Sequence, residues 1–164
     1  MVKLQGQQKL SQLEIFSDYN WWDRRNLLHA ITTERCDYIE SRVDKVFGRE
    51  AFGQQEVLEV GCGGGLLDEG MAKRHAIVVG IDPSESSLQA ARAHTQKSGL
   101  GQNTFFEQGY AESLPYADGS FSVIVCMDVL EHVQDLETVI KEITRVLAPG
   151  GIFIFDTINR TPLA

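Results

Sequence analysis

The sequence predicts an α/β protein in which a mostly parallel sheet carries helices on both of its faces. Short runs rich in β-branched residues alternate with longer segments whose apolar positions recur every three or four residues, which is the pattern of βαβ units. The run 121–126 is apolar except at Ser122, as expected for a strand covered on both faces. A glycine cluster separates the strand-like run 57–60 from a helical segment, which indicates a strand, a tight turn and a helix.

Length, charge and cysteine content limit the kind of protein. The chain has 164 residues, of which 43% are hydrophobic and 23% charged, and this fits one globular domain. A formal net charge of −8 argues against a nucleic-acid partner, because such binders present basic surfaces. The three cysteines are widely spaced, which predicts reduced thiols rather than disulfides or a zinc site. With no apolar signal-peptide segment and no run of 18 apolar residues, we expect a cytoplasmic protein, and peripheral membrane contact stays open.

The first 47 residues are predicted to form an N-terminal arm and a first helix, ahead of a core at 48–164 within a single domain. Residues 1–20 are polar and rich in glutamine. The pair Trp21-Trp22 should pack onto the main body, because two indoles bury a large apolar area; in the alternative, one ring lines a substrate pocket. From Leu27 to Phe47, spacing of three or four residues predicts a helix that buries one face, formed by Leu28, Ile31, Cys36, Ile39, Val43 and Val46. Arg35 falls among these positions, either near the packed side or exposed.

The core should contain five strands, near 57–60, 77–82, 104–106, 121–126 and 152–155. Ser84 is a candidate N-cap for the helix after the second strand, and Gly99 marks the end of that helix. The last helix is predicted from the stripe Val133, Leu136, Ile140, Ile143 and Leu147, and the Pro-Gly-Gly run at 149–151 should end it. Because parallel sheets bind ligands at the carboxyl ends of their strands, the strand ends are the candidate site.

The loop after the first strand carries glycine at alternate positions, Gly61, Gly63 and Gly65, with Glu59 two residues before the first. This spacing is neither the dinucleotide fingerprint nor a P-loop. Glycine permits a sharp turn and a close approach to a ligand. The loop offers no positive charge, so a ligand with hydroxyls and an amino-acid end is favoured over a polyphosphate. The segment resembles the E/D-x-G-x-G-x-G loop of class I methyltransferases, which bind S-adenosylmethionine; the alternative is a glycine-rich turn of some other α/β protein.

Other strand ends strengthen this resemblance. Asp82 closes the second strand, where a carboxylate can accept two hydrogen bonds from a ribose diol; the alternative is a helix cap beside Ser84. Residues 109–115 resemble the G-D-A-E-x-L-P segment that holds adenine, with Tyr110 in place of the usual Asp, and backbone groups near Ala111 and Glu112 would then read the base. Residues 145–151 match the form R-x-L-x-P-G-G, whose role is to end a helix and turn the chain.

Three groups able to move a proton or to bind a metal follow the fourth strand, namely Asp128, Glu131 and His132. Methyl transfer from a sulfonium requires the acceptor oxygen to be held in line with the methyl and to lose its proton. His132 is the candidate base, with Glu131 as a second catalytic candidate, and Mg²⁺ held by Asp128, Glu131 and His132 is the alternative means of activation. A structural reading also stands, because acids favour the start of a helix.

Two segments narrow the resemblance. The segment 21–39 resembles the W-W-D…L-H-x-I-x-x-x-R-x-x-Y-I helix of the ubiquinone-biosynthesis O-methyltransferases. The matching residues are Trp21-Trp22-Asp23, Leu28-His29, Ile31, Arg35 and Tyr38-Ile39. Residues 157–161 look like the T-x-N-R-T of the same family. This family implies a Rossmann-like fold and an acceptor that is a phenolic or catechol intermediate. It also implies that Arg35 reaches the carboxylate region of the cofactor, that Gly63 makes the loop contact and that Met127 flanks the cofactor. Asp128, Glu131 and His132 would match the E-x-x-E-H of members described as magnesium-binding.

The sequence therefore predicts a class I methyltransferase core that uses S-adenosylmethionine and acts on a phenol or catechol of the quinone pathway. The resembling family continues past the position of Ala164 through a helix and an antiparallel strand pair. We accordingly expect a core that lacks the C-terminal strands, with the fifth strand near an unfinished edge that favours self-association. Two alternatives stay open: a methyltransferase of another small molecule, and a non-catalytic cofactor-binding subunit or inactive fragment. His29 is expected to pack or cap near the first helix, and His75 and His94 are expected to be bystanders.

Overall fold

The computed structural model describes residues 19–23 and 25–157. The described helices are α1 (Leu27–Phe47), α2 (Leu66–Ala72), α3 (Glu85–Lys97) and α4 (Leu136–Val146), with a 3-10 turn at Phe52–Gln54. The described strands are β1 (Glu56–Val60), β2 (Ile77–Asp82), β3 (Thr104–Gln108), β4 (Phe121–Cys126) and β5 (Leu147–Phe155). The predicted polar arm, apart from Tyr19 and Asn20, and most of the 157–161 segment lie outside the described residues.

The five strands form one sheet in the order β3-β2-β1-β4-β5. All four neighbouring pairs are parallel, which confirms the predicted α/β class. The chain runs outward from β1 through β2 to β3 and then returns to β4, on the other side of β1. The strand order therefore reverses between β1 and β4, where a sheet of this kind opens a crevice for a ligand.

Alternate residues along each strand feed two cores, one on each face of the sheet. On one face, Val57, Val78 and Val123 pack with Cys36, Ile39 and Val43 of α1 and with Leu67 and Met71 of α2. On the opposite face, Leu58, Val79 and Ile124 pack with Val139, Ile143 and Val146 of α4. A smaller cluster joins Leu88 and Ala91 of α3 to Phe106 of β3. This period of two confirms that helices cover both faces.

Several local predictions hold, and the cap residues show why. The Ser84 side chain accepts a hydrogen bond from the N–H of Ser87, as an N-cap does. Gly99 follows the C-cap of α3 with φ +75°, the left-handed conformation typical of a helix end. Asn26 caps α1 by accepting from the N–H of Leu28. In α1, Cys36, Ile39 and Val43 are buried as predicted, but Val46 is half-exposed.

Two boundaries of the last βα unit differ from the sequence prediction. The helix α4 begins at Leu136, because Asp135 caps it by accepting from the N–H of Thr138. Its buried residues are Val139, Ile143 and Val146, whereas Leu136 is 49% and Ile140 38% exposed, so the predicted stripe had the wrong register. Strand β5 begins directly at Leu147 and contains the Pro-Gly-Gly run, with a register shift between the pairs Phe121–Leu147 and Val123–Ile152. Within the described part of the chain, none of the helices combines the length and apolarity needed to cross a membrane.

Candidate functional site

A cavity of about 530 Å³ opens at the carboxyl ends of the strands, at the point where the strand order reverses. This volume lies within the range of small-molecule and cofactor sites. The predicted site residues that line it are Arg35, Glu59, Gly61, Asp82, Ala111, Glu112, Met127, Asp128, Glu131 and His132. Tyr19, Trp21, Leu27, Leu28 and Val133 add an apolar wall. The fold therefore brings residues of α1 and of the segments that follow β1, β2, β3 and β4 into one cavity.

The alternate glycines of the loop after β1 are required by the backbone. Gly61, Gly63 and Gly65 have φ of +80°, +52° and +77°, a region that costs other residues about 1–2 kcal/mol. The N–H groups of Gly61 and Cys62 both donate to the Ile81 carbonyl, at 2.7 and 3.2 Å, so the loop is fixed to the end of β2. Each left-handed glycine turns the chain once between the strand and α2.

The three glycines face different neighbours. A Cβ on Gly61 would overlap Val129, and one on Gly63 would lie 2.8 Å from Trp21 Cζ2. A Cβ on Gly65 would lie 2.8 Å from the Cβ of Ala91 on α3. Among the described residues, Gly61 borders the cavity, whereas Gly63 and Gly65 do not. The cofactor contacts of Gly63 and Gly65 stay predictions. What the structure adds is that a side chain at either position would collide with a packed neighbour, which the sequence did not reveal.

Asp82 is held in place by two backbone donors. Its Oδ2 accepts from the N–H of Gly63 at 2.9 Å, and its Oδ1 accepts from the N–H of Ser84 at 2.8 Å. Burial raises the pKa of Asp82, and these two hydrogen bonds oppose the rise. An ionised carboxylate has about four acceptor positions, so two remain for hydroxyl groups of a ligand. The two readings of the sequence, helix entrance and ribose acceptor, are compatible in this geometry.

The tryptophan pair packs onto the main body, as predicted, and it does so against the glycine loop. The Trp21 Nε1–H donates to Ser87 Oγ at 3.2 Å, and the Trp22 Nε1–H donates to the Gly64 carbonyl at 3.0 Å. Trp22 also stacks on His94, with ring centroids 3.2 Å apart and an interplanar angle of 4°. Because Trp21 lines the cavity, the alternative reading of one ring as a pocket wall holds as well.

His94 makes structural contacts, although it does not line the cavity. Its Nδ1 lies 2.6 Å from Oε2 of Glu69, a side chain that is only 4% exposed. Ser98 Oγ and Lys73 Nζ also donate to Glu69. The pKa of Glu69 is lowered because its hydrogen bonds to Lys73 and His94 outweigh burial, which acts in the opposite direction. This network fixes the imidazole under Trp22. His29 packs edge-on against Trp22 at 5.4 Å, as expected of a packing residue.

Arg35, which lines the cavity, contacts two carboxylates. One of its terminal nitrogens lies 2.7 Å from Asp128 Oδ2 and 2.7 Å from Asp156 Oδ2. The N–H of Asp128 also donates to Asp156 Oδ1 at 2.7 Å, and Asp128 holds φ at +54°, a region unusual for a residue other than glycine. Arg35 and Asp156 therefore hold the loop after β4 in place. The sequence did not indicate a role for Asp156.

The proposed metal ligands are not arranged around a common point. The Asp128 carboxylate faces the Arg35 guanidinium, and Glu131 Oε2 accepts from Thr157 Oγ1 at 3.0 Å. Across residues 19–23 and 25–157, no group of three or more His, Cys, Asp or Glu side chains is placed to hold a metal ion. A guanidinium in contact with the would-be ligand disfavours a second cation. The donor set thus does not fit Mg²⁺, whereas Glu131 and His132 still border the cavity.

The segment that follows the third strand also lines the cavity. Ala111 and Glu112 lie there beside Tyr110, which is 44% exposed. Arg145 supports this segment by donating to the carbonyls of Leu114 and Tyr116 at 2.9 and 2.7 Å. Arg145, the arginine of the R-x-L-x-P-G-G motif, lies in the last turn of α4 and also fixes the segment that continues from the cavity wall.

All three cysteines are free and buried, in agreement with the prediction of reduced thiols. Burial raises the pKa of Cys36 to about 12 and raises the pKa values of Cys62 and Cys126 as well. A neutral thiol is a poor nucleophile and a poor metal ligand. These side chains therefore act as small apolar residues in the core.

Comparison with known proteins agrees with this geometry. The methyltransferase domain family model (Methyltransf_11) matches residues 58–155. A ubiquinone biosynthesis O-methyltransferase of Hahella chejuensis is 42% identical over 159 residues, which cover 93% of this chain and 63% of that protein. The chain thus spans less than two thirds of the length of this relative.

Two solved structures share the architecture. A protein of Methanococcus maripaludis, proposed to be an S-adenosyl-L-methionine-dependent methyltransferase, superposes with a TM-score of 0.72 at 22% identity, over 82% of this chain and 58% of that one; this likeness shows the fold. The [4+2]-cyclase SpnF superposes with a TM-score of 0.66 at 29% identity, over 74% of this chain and 43% of its own. Because the family model covers more than half of the chain, including the strands and loops that line the cavity, the protein belongs to the methyltransferase domain family.

Proposed function

We propose that the chain is the cofactor-binding core of an S-adenosylmethionine-dependent O-methyltransferase whose acceptor is a phenolic or catechol-like intermediate of quinone biosynthesis. The observation that carries the proposal is that Asp82 and Gly61 line the same cavity as Glu131 and His132. The name of the relative from Hahella chejuensis supports the choice of acceptor.

The described residues fit a cofactor that has a ribose and an amino-acid end. Asp82 keeps two acceptor positions for the ribose hydroxyls beyond those used by Gly63 and Ser84. Ala111 and Glu112, which line the cavity, would read the adenine, and Met127, which is 9% exposed, would flank the cofactor. Arg35 already contacts two carboxylates, so its guanidinium would have to exchange one of them to pair with the carboxylate of the cofactor.

The chemistry required of the protein is alignment and removal of a proton. S-adenosylmethionine supplies, when bound, an electrophilic methyl group on sulfur. In this proposal, His132 accepts the proton of the acceptor hydroxyl while the new C–O bond forms and the C–S bond breaks. The apolar wall of Leu27, Leu28 and Val133 orients an aromatic ring and excludes water. Glu131 stands beside His132 and is held by Thr157.

The cofactor site is tested by calorimetric titration with S-adenosylhomocysteine. In Asp82→Ala, binding should weaken by about 1.5–3 kcal/mol, the range for hydrogen bonds to a charged group. Asp82→Asn should fall between this variant and the wild type, because one acceptor oxygen remains. Glu34→Ala, at an exposed position of α1, is the control and should bind like the wild type. A folded wild-type chain that does not bind would reject the proposal.

A second candidate is a protein that binds the cofactor without transferring its methyl group. The similarity to SpnF supports this alternative, because a protein with a similar core is described there as a [4+2]-cyclase and not as a methyltransferase. Exchange of His132 for Gln separates the two. A catechol methyltransferase should lose turnover and keep its affinity for S-adenosylhomocysteine, whereas a binding protein should show no turnover with any catechol before or after the change.

A further inference from the structure

Two buried acids are in contact behind the glycine loop. Asp68 of α2 is 0% exposed and Glu59 of β1 is 4% exposed, and the two carboxyl groups lie close enough for each to shift the pKa of the other. Three of the four oxygens, namely Glu59 Oε2 and both oxygens of Asp68, are shut off from solvent without a donor among the residues that the structure describes. Two carboxylates cannot both be ionised at such a contact, so the pair must share a proton.

The sequence leaves space for this pair at Gly80. A Cβ on Gly80 of β2 would lie 2.6 Å from Asp68 Oδ1 and 2.8 Å from Cys62 Sγ. Glycine in the middle of a strand is otherwise unfavourable. Gly80 therefore makes room for a carboxyl group that would not fit beneath any other residue.

The surroundings of the pair are mostly neutral or negative. Arg35 of α1 lowers the pKa of Glu59, and Asp82 of β2 raises the pKa values of both acids. The thiols that face the pair, Cys36, Cys62 and Cys126, have raised pKa values and stay neutral. Burial is the largest cause of the raised pKa of each acid, and the pKa of Asp68 reaches about 7.

Only one member of the pair borders the cavity. Glu59 lines it, whereas Asp68 is absent from the lining. With its Oε2 enclosed, Glu59 has Oε1 left to face a ligand. An effect of Asp68 on a ligand must therefore pass through Glu59.

We propose that Asp68 is a positioning residue of the cofactor site, which shares one proton with Glu59 and thereby fixes Glu59 as the acceptor for the amino group of the cofactor's amino-acid end. This inference rests on the proposed function. The pair carries no charge when both acids are protonated and one negative charge when one proton has left. A cationic amino group binds the charged pair better than the neutral one.

Binding measured against pH tests this role. Titrations of S-adenosylhomocysteine from pH 6 to pH 8 should show affinity rising by about tenfold in the wild type, as the pair loses one proton. In Asp68→Asn the rise should fall to about twofold or less, because an amide cannot ionise but can donate to Glu59. Methylthioadenosine, which has no amino-acid end, should show no such rise with either protein. Glu34→Gln is the matched control for an acid-to-amide exchange at an exposed site and should follow the wild type.

Unfolding of the ligand-free protein tests the shared proton separately. A raised folded pKa gives stability that is present below the unfolded pKa, near 3.8 for Asp68, and is lost as pH rises through about 7. Urea unfolding of the wild type should therefore become easier between pH 5 and pH 8, and Asp68→Asn should flatten this trend. Asp68→Leu keeps the branched shape of the side chain, although it is larger, and it offers Glu59 no hydrogen-bond partner, so at pH 8 it should bind S-adenosylhomocysteine about tenfold more weakly than Asp68→Asn.

The outcomes separate the two proposals. An unchanged pH profile in Asp68→Asn, or wild-type affinity in Asp68→Leu, would overturn the role of Asp68 while leaving the cofactor site standing. A folded wild-type chain that binds neither ligand at any pH would instead reject the proposed function. If the unfolding trend does not flatten in Asp68→Asn, the shared proton is refuted whatever the ligand does.

Discussion

Replacement of Gly61 by alanine should destabilise the protein more than its backbone conformation alone explains. Gly61 has φ +80°, and an added Cβ would overlap Val129 Cγ2 and lie 3.2 Å from Cγ1. The left-handed conformation costs about 1–2 kcal/mol for alanine, and forcing extra volume into a packed region adds about 1–3 kcal/mol. We therefore expect Gly61→Ala to lower the free energy of unfolding by about 2–5 kcal/mol.

Gly150 offers a matched control for the backbone part of this cost. Its φ is +79°, and nothing lies within 4 Å of an added Cβ. Gly150→Ala should therefore lose only about 1–2 kcal/mol. Urea unfolding followed by circular dichroism at a fixed pH measures both variants. Equal losses would refute the claim that close packing on Val129 limits this position.

A double variant makes the argument stricter. Val129→Ala removes the methyl groups that the new Cβ would meet, so the double variant should be more stable than the sum of the two single losses predicts. Contacting residues show such interaction energies of about 0.5–3 kcal/mol. Additive losses would place the strain elsewhere in the loop.

Two further changes test the residues that support the cavity. Trp22→Phe keeps a ring on His94 but leaves the Gly64 carbonyl without its 3.0 Å donor. We therefore expect the free energy of unfolding in urea to fall by about 1 kcal/mol, and wild-type stability would contradict the role of this hydrogen bond. Arg35→Gln leaves the Asp128 carboxylate next to the Asp156 carboxylate without a cation between them. We expect the free energy of unfolding to fall by about 1–2 kcal/mol, and the loss to shrink in high salt. A loss that does not depend on salt would contradict an electrostatic role for Arg35.

The sequence predicted the strands and the first helix well because their signals are local. The run 121–126 is buried between two helical layers, and the observed β4 has the predicted bounds. The caps at Ser84 and Gly99 follow from the conformations that those residues favour. The last helix was placed less well, because its apolar residues fit two neighbouring stripes and only the sheet decides which one is buried.

The candidate site was predictable in position but not in its internal contacts. The glycine spacing, Asp82 and the acids after β4 pointed to the strand ends, and the cavity lies there. The sequence could not show that Asp128 is turned toward Arg35, a partner from a helix that is distant in sequence. His94 was set aside because no local pattern shows that it stacks on Trp22.

The sequence by itself determined the class of fold, the alternation of strands and helices that gives a parallel sheet, and the edge of the sheet at which the candidate site lies. These depend on periodicity, on turn residues and on the rule that parallel strands bind ligands at their carboxyl ends. The tertiary structure alone decided the Arg35–Asp156 contact, the stacking of Trp22 on His94 and the pairing of Glu59 with Asp68. Each joins side chains from separate elements, and their charges and protons are set by burial and neighbours, which exist only once the chain has folded.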